Sequence, residues 1–472
     1  MIPLSKTILV KIISNTKSQI LVVILMLFLQ FVVSGCQTDN DDEIKTPNIV
    51  FIVADDLGIH QLGCYGSKFY ETPNIDRLAK NGMRFTNAYA AATVCSPTRA
   101  SILTGKYPAR LHLTDFIPGK TKPGEKLKVP EWTKYLSEDE VTIAEVLKSA
   151  GYVTGHFGKW HLNKDKKYKP GRPGDPGSQG FDDVLTTHKP GAGPDSKYKN
   201  DKHHVKEITK RALKFIEKNR GNNFFCYIPH NSIHSPEIED KLLMEKYKNK
   251  SNSAKKGKHD NPIQAAMLET LDKSVAEILA KLKELNLEEN TIVIFFSDNG
   301  QLGEKDGKPF RGSKGDLYEG GIRMPLIISW PGTVKHGTLC DELVISNDFF
   351  PTFSEVTNVN NYAYKTDGIS LLPLMKNSKT KLNRNTLYWH YPHYHGSGLG
   401  PQGAIREGNY KLIEWFEKSI DNQKGALELY DLVADPGEQH NLVDSLPQVS
   451  LRLFNKLKTW RSNIGAHEMV KN

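Results

Sequence analysis

Two oxygen-rich pairs follow similar apolar runs in this chain. Asp55 and Asp56 come directly after Asn48 to Ala54 (NIVFIVA), and Asp298 and Asn299 directly after Thr291 to Ser297 (TIVIFFS). Each run reads as a buried strand, and in open α/β sheets the functional groups gather beyond the carboxyl ends of strands. The two pairs can therefore converge although they are far apart in sequence. Taken singly, an Asp-Asp pair at a strand end serves equally well as a cap or a turn. A third candidate is Cys95, two residues before Pro97. Proline fits the first turn of a helix, where its missing N–H leaves nothing unsatisfied. Residue 95 then falls at a helix N-terminus, where free backbone N–H groups attract anions. The plain alternative is a buried thiol ahead of an ordinary helix.

The surroundings of Cys95 are more specific. Cys95, Ser96, Pro97, Thr98 and Arg99 run on into Ala100 to Gly105 (ASILTG). With this Cys-X-Pro-X-Arg pattern the sequence resembles the formylglycine-dependent type I sulfatases of the alkaline-phosphatase-like superfamily, from about Pro47 to the C-terminus. The resemblance implies that a maturation enzyme oxidises Cys95 to formylglycine. One hydroxyl of its hydrate attacks sulfur to form a covalent sulfo-enzyme intermediate, and the other expels sulfate as the aldehyde re-forms. Asp55, Asp56, Asp298 and Asn299 match the family's metal ligands, with residue 95 and a sulfate oxygen completing the shell. Four oxygen donors, three of them anionic, suit Ca²⁺ or Mg²⁺ rather than zinc.

Further blocks match in family order. Gly158, Lys159, Trp160 and His161 follow an expected strand; by resemblance Lys159 holds the sulfate and His161 takes a proton from the hydrate, near the pH where imidazole titrates. His234, within Ser232 to Pro236 (SIHSP), matches the histidine beside the leaving-group oxygen, and Lys314, within RGSKG, the second sulfate-binding lysine. Arg99 is expected to orient the hydrate. Sulfate esters resist hydrolysis by repelling nucleophiles, and fixed cations relieve that repulsion. The implied activity is hydrolysis of sulfate monoesters, on a sulfated glycan. Two other readings stay open: a phosphoryl or phosphonate ester hydrolase of the same superfamily, and a non-catalytic, calcium-dependent glycan-binding lipoprotein.

A cluster outside these blocks is Trp389 to His395 (WHYPHYH), followed by a Gly-rich stretch and Arg406. Aromatics, imidazoles and an arginine at a pocket mouth can stack on and hydrogen-bond a sugar ring. His390, His393, His395 and Arg406 are therefore candidate substrate-binding residues. The same cluster fits a packed loop between domains, or a three-histidine metal site that lacks a carboxylate at fixed spacing.

These residues need a scaffold. Apolar runs alternating with helical patterns predict an α/β fold, with a large, mostly parallel sheet flanked by helices. Further strands are expected at Tyr152–Phe157, Phe224–Ile228 and Leu326–Trp330. Helices are expected at Asn74–Asn81, Thr142–Ala150, His203–Asn219, Asn261–Leu285 and Asp348–Thr357. Asn163–Asn200 and the lysine-rich Lys246–His259 read as surface loops or lids. For the lysine loop a solvated surface is the plainer account than contact with a polyanion. Past Leu374, strand-like pieces at Leu387–Tyr391, Tyr410–Glu414 and Leu427–Asp431 precede a helical tail, Pro447–Ser462. They predict a small α+β subdomain, an antiparallel sheet plus a helix, that completes the pocket. The expected division is 1–35 signal peptide, 36–46 polar tether, 47–374 catalytic domain and 375–472 C-terminal subdomain.

The leader holds Lys6, Lys11 and Lys17 and no acids, then the apolar run Ile20–Val33, too short to span a membrane. It ends in Val33, Ser34, Gly35 and Cys36, which resembles a bacterial lipobox and implies lipidation of Cys36. A cleaved secretory peptide with an incidental cysteine is the alternative. The expectation is an exported protein anchored to the membrane by lipid, periplasmic or at the surface of a Gram-negative cell. Across 472 residues, 38% hydrophobic residues suffice for a large core. The net charge of +9, three of it in the leader, suits an anionic substrate but forms no basic stripe of the kind nucleic acid requires. Five cysteines are too few for a disulfide framework. With Cys36 and Cys95 modified, Cys64, Cys226 and Cys340 could form one bridge at most.

Overall fold

The computed structural model describes residues 46–120, 124–191, 195–253, 260–303, 309–359 and 364–472. The leader, Cys36 and most of the tether lie outside the described residues. Eight strands form the main sheet: β1 (Asn48–Ala54), β2 (Met83–Phe85), β3 (Val153–Lys159), β4 (Asp183–Thr187), β5 (Phe224–Pro229), β6 (Thr291–Ser297), β7 (Leu326–Ser329) and β8 (Thr338–Cys340). Their order is β8-β2-β7-β6-β1-β5-β3-β4, with β7 alone antiparallel to its neighbours. In β1, Ile49, Phe51 and Val53 enter one core while Val50, Ile52 and Ala54 enter the other. Burial on both faces explains the unbroken apolar run.

One face is covered by α2 (Cys95–Thr104), α3 (Ile143–Ser149) and α7 (Phe349–Val356). The other carries α1 (Pro73–Lys80), α4 (Val205–Lys218), α5 (Lys241–Ser253) and α6 (Pro262–Glu284). The small sheet is an antiparallel meander of β9 (Thr386–Tyr391), β10 (Gln402–Glu407), β11 (Tyr410–Trp415) and β12 (Leu427–Asp431). Helix α8 (Pro447–Ile464) lays Leu453 and Leu457 on its outer face. Leu387, Trp389 and Ile413 on the inner face pack against Tyr89, Val94 and Leu317. Both sheets belong to one compact unit, Pro47–Asn472.

Three expectations need correction. Lys246–His259 is helical as far as Ser253, because Leu243, Met244 and Tyr247 share a face that packs on the second core. Lys246 bridges Glu71 and Glu269, each at 2.6 Å, so it is not a free solvated charge. Asn163–Asn200 contains edge strand β4, whose half-buried residues carry a weaker apolar signal than a central strand. Strand β10 was hidden by Gly403 and Ala404, which lack strand-forming side chains. Cys64, Cys95, Cys226 and Cys340 are all free thiols.

Candidate active site

The strand register assembles the site. Strands β1 and β6 pair in parallel up to Ala54 opposite Ser297, so Asp55 and Asp298 leave the sheet side by side. The Asp55 N–H then donates to the Ser232 carbonyl at 2.9 Å, and the Ile233 N–H to the Asp55 carbonyl at 2.7 Å. This fastens the segment bearing His234 to the end of β1. Two glycines permit the close approach of neighbouring chains: a Cβ on Gly158 would lie 1.9 Å from the Pro229 carbonyl oxygen, and one on Gly300 1.9 Å from that of Gly320. Asp56 (φ 61°) and His161 (φ 59°) adopt left-handed backbone, which costs a non-glycine residue roughly 1–2 kcal/mol and concentrates at functional sites.

Cys95 is the first residue of α2, a helix buried along its whole length, and its side chain is 1% exposed. Its Sγ, one Asp55 oxygen and one Asp298 oxygen lie within 4.8 Å of one another. The His161 Nδ1 is 3.2 Å from Sγ, and its Nε2 is 2.6 Å from the Ile117 carbonyl oxygen. That carbonyl can only accept, so the ring proton belongs on Nε2 and Nδ1 faces residue 95 as a base. Burial first, then Lys159, press the His161 imidazole well below its ordinary pKa, which keeps it neutral.

Three carboxylates meet three fixed cations around residue 95. Asp298 accepts from Arg99 Nε at 2.8 Å and lies 2.7 Å from its Nη2. Lys159 Nζ is 2.7 Å from Asp55, and Lys314 Nζ is 2.6 Å from Asp56. Burial alone would raise the Asp55 carboxyl, but Lys159, His234, Arg99 and Lys314 together hold it far below the ordinary range. Asp298 moves upward, pushed by burial and by Asp55. His234 Nε2 is 3.7 Å from Asp56, and burial draws its pKa down to about 4.

Two buried oxygens in this cluster, Asp55 Oδ1 and Asn299 Oδ1, have no hydrogen-bond partner. Lone pairs left so in a dry interior call for a cation. Together with Asp56 and Asp298 they form an all-oxygen set that fits a hard divalent ion. The structure thus brings together Asp55, Asp56, Cys95, Arg99, Lys159, His161, His234, Asp298, Asn299 and Lys314.

A cavity of about 440 Å³ opens over residue 95. Its walls include Asp56, Lys159, His161, His234, Lys314 and, of the cap cluster, His395. The other cap candidates do not line it. His390 is buried, with Nε2 2.9 Å from the His467 carbonyl oxygen. His393 Nε2 is 2.8 Å from Thr114 Oγ1. Arg406 is buried in β10 and donates to Asn87, Tyr89 and the Gly408 carbonyl. His390 and Arg406 are held inside by their strands β9 and β10, and His393, past the end of β9, by its bond to Thr114. Sequence reasoning missed the cavity residues Lys120, Asn231, His188 and Lys189. Asn231 could have been found from its place just past the end of β5, but the others sit on irregular segments without a motif.

The match to the sulfatase family places this fold, a large α/β sheet with a small antiparallel sheet, in the alkaline-phosphatase-like superfamily. The chain belongs to the sulfatase family: residues 47–359 match that family, and residues 313–463 match the region described as N-sulphoglucosamine sulphohydrolase, C-terminal. It is a sulfuric ester hydrolase. A sulfatase from Formosa agariphila is 31% identical over 93% of each chain. An N-acetylgalactosamine-6-O-sulfatase from Bacteroides thetaiotaomicron is 28% identical, covering 90% of this chain and 96% of the relative. Among solved structures, Ps i-CgsB in complex with k-i-k-neocarrahexaose superimposes with a TM-score of 0.72 at 24% identity, covering 88% of this chain and 93% of that one.

Proposed function

We propose that this sulfatase cleaves sulfate monoesters from a sulfated carbohydrate, with residue 95 converted to formylglycine and Ca²⁺ or Mg²⁺ held by Asp55, Asp56, Asp298 and Asn299. The meeting of residue 95 with this partly unsatisfied oxygen set carries the reading. The relatives named above, one an N-acetylgalactosamine-6-O-sulfatase and one bound to a carrahexaose, support a saccharide. Hydrated formylglycine supplies two hydroxyls on one carbon, one to attack sulfur and one to release sulfate; the cation supplies charge neutralisation.

The chain's own residues do the rest. His161 Nδ1 faces the reacting atom of residue 95 and holds the proton it gives up. An ammonium has three donors, so Lys159 and Lys314 keep some for sulfate oxygens after binding their carboxylates. His234 Nδ1 lies 2.6 Å from the Ser235 carbonyl oxygen, which orients the ring, holds its proton on Nδ1 and leaves Nε2 facing Asp56 and the cavity; it delivers a proton to the departing alkoxide only in its imidazolium form. Arg99, tied to the Lys159 carbonyl at 2.9 Å and to Asp298, fixes the spacing of these groups. Residues 375–472 complete the pocket through His395. Export and lipid anchoring at Cys36 would place the enzyme where polymeric saccharides are found.

Mass spectrometry of the tryptic peptide Phe85–Arg99 tests the modification. Conversion of Cys95 removes about 18 Da, and active enzyme whose peptide is wholly unconverted would refute the mechanism. Parallel rates on aryl sulfate and aryl phosphate test the bond cleaved, and faster phosphate release would overturn the assignment.

A further inference from the structure

The cavity lining holds six lysines and two aspartates. Around residue 95 the charges already balance, three carboxylates against Arg99, Lys159 and Lys314. A divalent ion there then leaves an attraction matched to the sulfate being cut. Four lysines remain outside that balance. Lys120 lies just beyond Ile117 and Pro118, Lys164 and Lys166 lie on the segment after β3, and Lys189 lies two residues past β4. Among the described residues none of the four has a carboxylate within ion-pair distance. Both lining aspartates are engaged elsewhere, Asp56 with Lys314 and Asp165 with Arg172 at 3.2 Å.

The chain as a whole carries 54 acidic residues against 63 basic ones, and what sets these four apart from its other lysines without an ion pair is that they line one cavity over residue 95. Four like charges around one opening repel one another unless an anion joins them. Burial first, then the inner lysines Lys159 and Lys314, press the Lys189 ammonium below the ordinary range, so it lies within reach of their charge.

We infer that the collar of Lys120, Lys164, Lys166 and Lys189 binds further anionic groups of the same substrate, so that the preferred saccharide is a polyanion carrying sulfates or carboxylates besides the ester that is cut. This rests on the sulfatase reading and names the substrate class it leaves open. The inner lysines hold the scissile sulfate, and the collar holds its neighbours. Because the collar cations are solvated, their attraction is long-ranged and sensitive to salt.

The test compares wild type with the fourfold variant Lys120→Gln, Lys164→Gln, Lys166→Gln, Lys189→Gln, using two probes, sucrose octasulfate and hexagalacturonate. Each probe is titrated by calorimetry at low and physiological salt, and as a competitor of aryl sulfate hydrolysis. Wild type should bind at least one probe, with affinity falling as salt rises, and the variant should bind it roughly tenfold more weakly with a shallower salt dependence. Binding of the octasulfate alone assigns the collar to further sulfates, and of the uronate alone to carboxylates. Equal affinity of both proteins for both probes, or no binding by wild type at low salt, overturns the proposal. Should the fourfold variant fail to fold, Lys189→Gln and Lys164→Gln singly give the same comparison at smaller amplitude. Calorimetry needs no turnover, so a wild type that binds probes yet cleaves no sulfate ester would sink the sulfatase reading and leave the collar standing.

Discussion

Asp55, Asp56 and Asp298 meet Arg99, Lys159 and Lys314 at the end of the main sheet, while Glu319 and Glu438 meet Lys411 at the base of the small one. Both clusters are buried, yet they serve different ends. Lys411 is fully buried at 3.0 Å from Glu319 and 2.9 Å from Glu438, and Arg323 adds a further cation to Glu319. That cluster, 0% exposed at Lys411 and Glu319, ties β11 to the segment before β7. The cluster around residue 95 opens to a cavity and retains two oxygens without donors. Burying charge is expensive in both places. In one the pairing is closed and holds two layers together; in the other it stays incomplete and leaves room for an ion and a substrate.

Substitutions should separate these roles. Cys95→Ala should lower turnover by about 10⁴-fold or more while leaving the urea midpoint nearly unchanged, since it removes the reacting group and only one small buried side chain. An unfolding midpoint shifted as far as the rate would erase the contrast. Lys411→Met should do the reverse: leaving Glu438 without its cation, with Glu319 still facing Arg323, costs about 3–5 kcal/mol in urea unfolding, with KM on aryl sulfate held in the folded fraction. Retained stability would show that the second cluster holds nothing together.

Chelation sharpens the difference further. Removing divalent ions should abolish activity, and adding Ca²⁺ at a hundredfold excess over its Kd should stabilise the protein by about 2.7 kcal/mol. Asp298→Asn should remove that stabilisation, whereas Glu438→Gln should keep it. A Ca²⁺-independent melting curve in wild type would speak against the oxygen site. The pH dependence comes next. His161 is a base whose pKa is depressed, so it gains a proton, and loses that role, only as pH falls below the ordinary imidazole value of about 6.5. The acid limb of kcat/KM should therefore lie below that pH, and a limb at or above it would contradict the buried, neutral His161. The smallest effects concern the cap: His395→Ala should raise KM for a saccharide severalfold, and His390→Ala should instead lower stability by about 1 kcal/mol through its lost bond to His467.

Much of the candidate site was legible before the fold was known, because each residue sits where local signals are strong. β1 and β6 end where their apolar runs end, and the acids that follow are the ones that meet. Pro97 marked the start of α2. The cap was harder to read. Aromatics and imidazoles in Trp389–His395 looked alike on paper, but β9 turns Trp389 toward Ala90 and only His395, past its end, reaches the cavity. The collar lysines carried no motif at all.

Residue type and order alone determined the α/β class, the two oxygen pairs and the helix that starts at residue 95, since buried strands and helix starts are written in short stretches of chain. Tertiary structure decided which cap residues touch the cavity, which lysines are paired, and which buried charges stay incomplete. Those outcomes depend on distances between segments remote in sequence, and no local pattern encodes a distance.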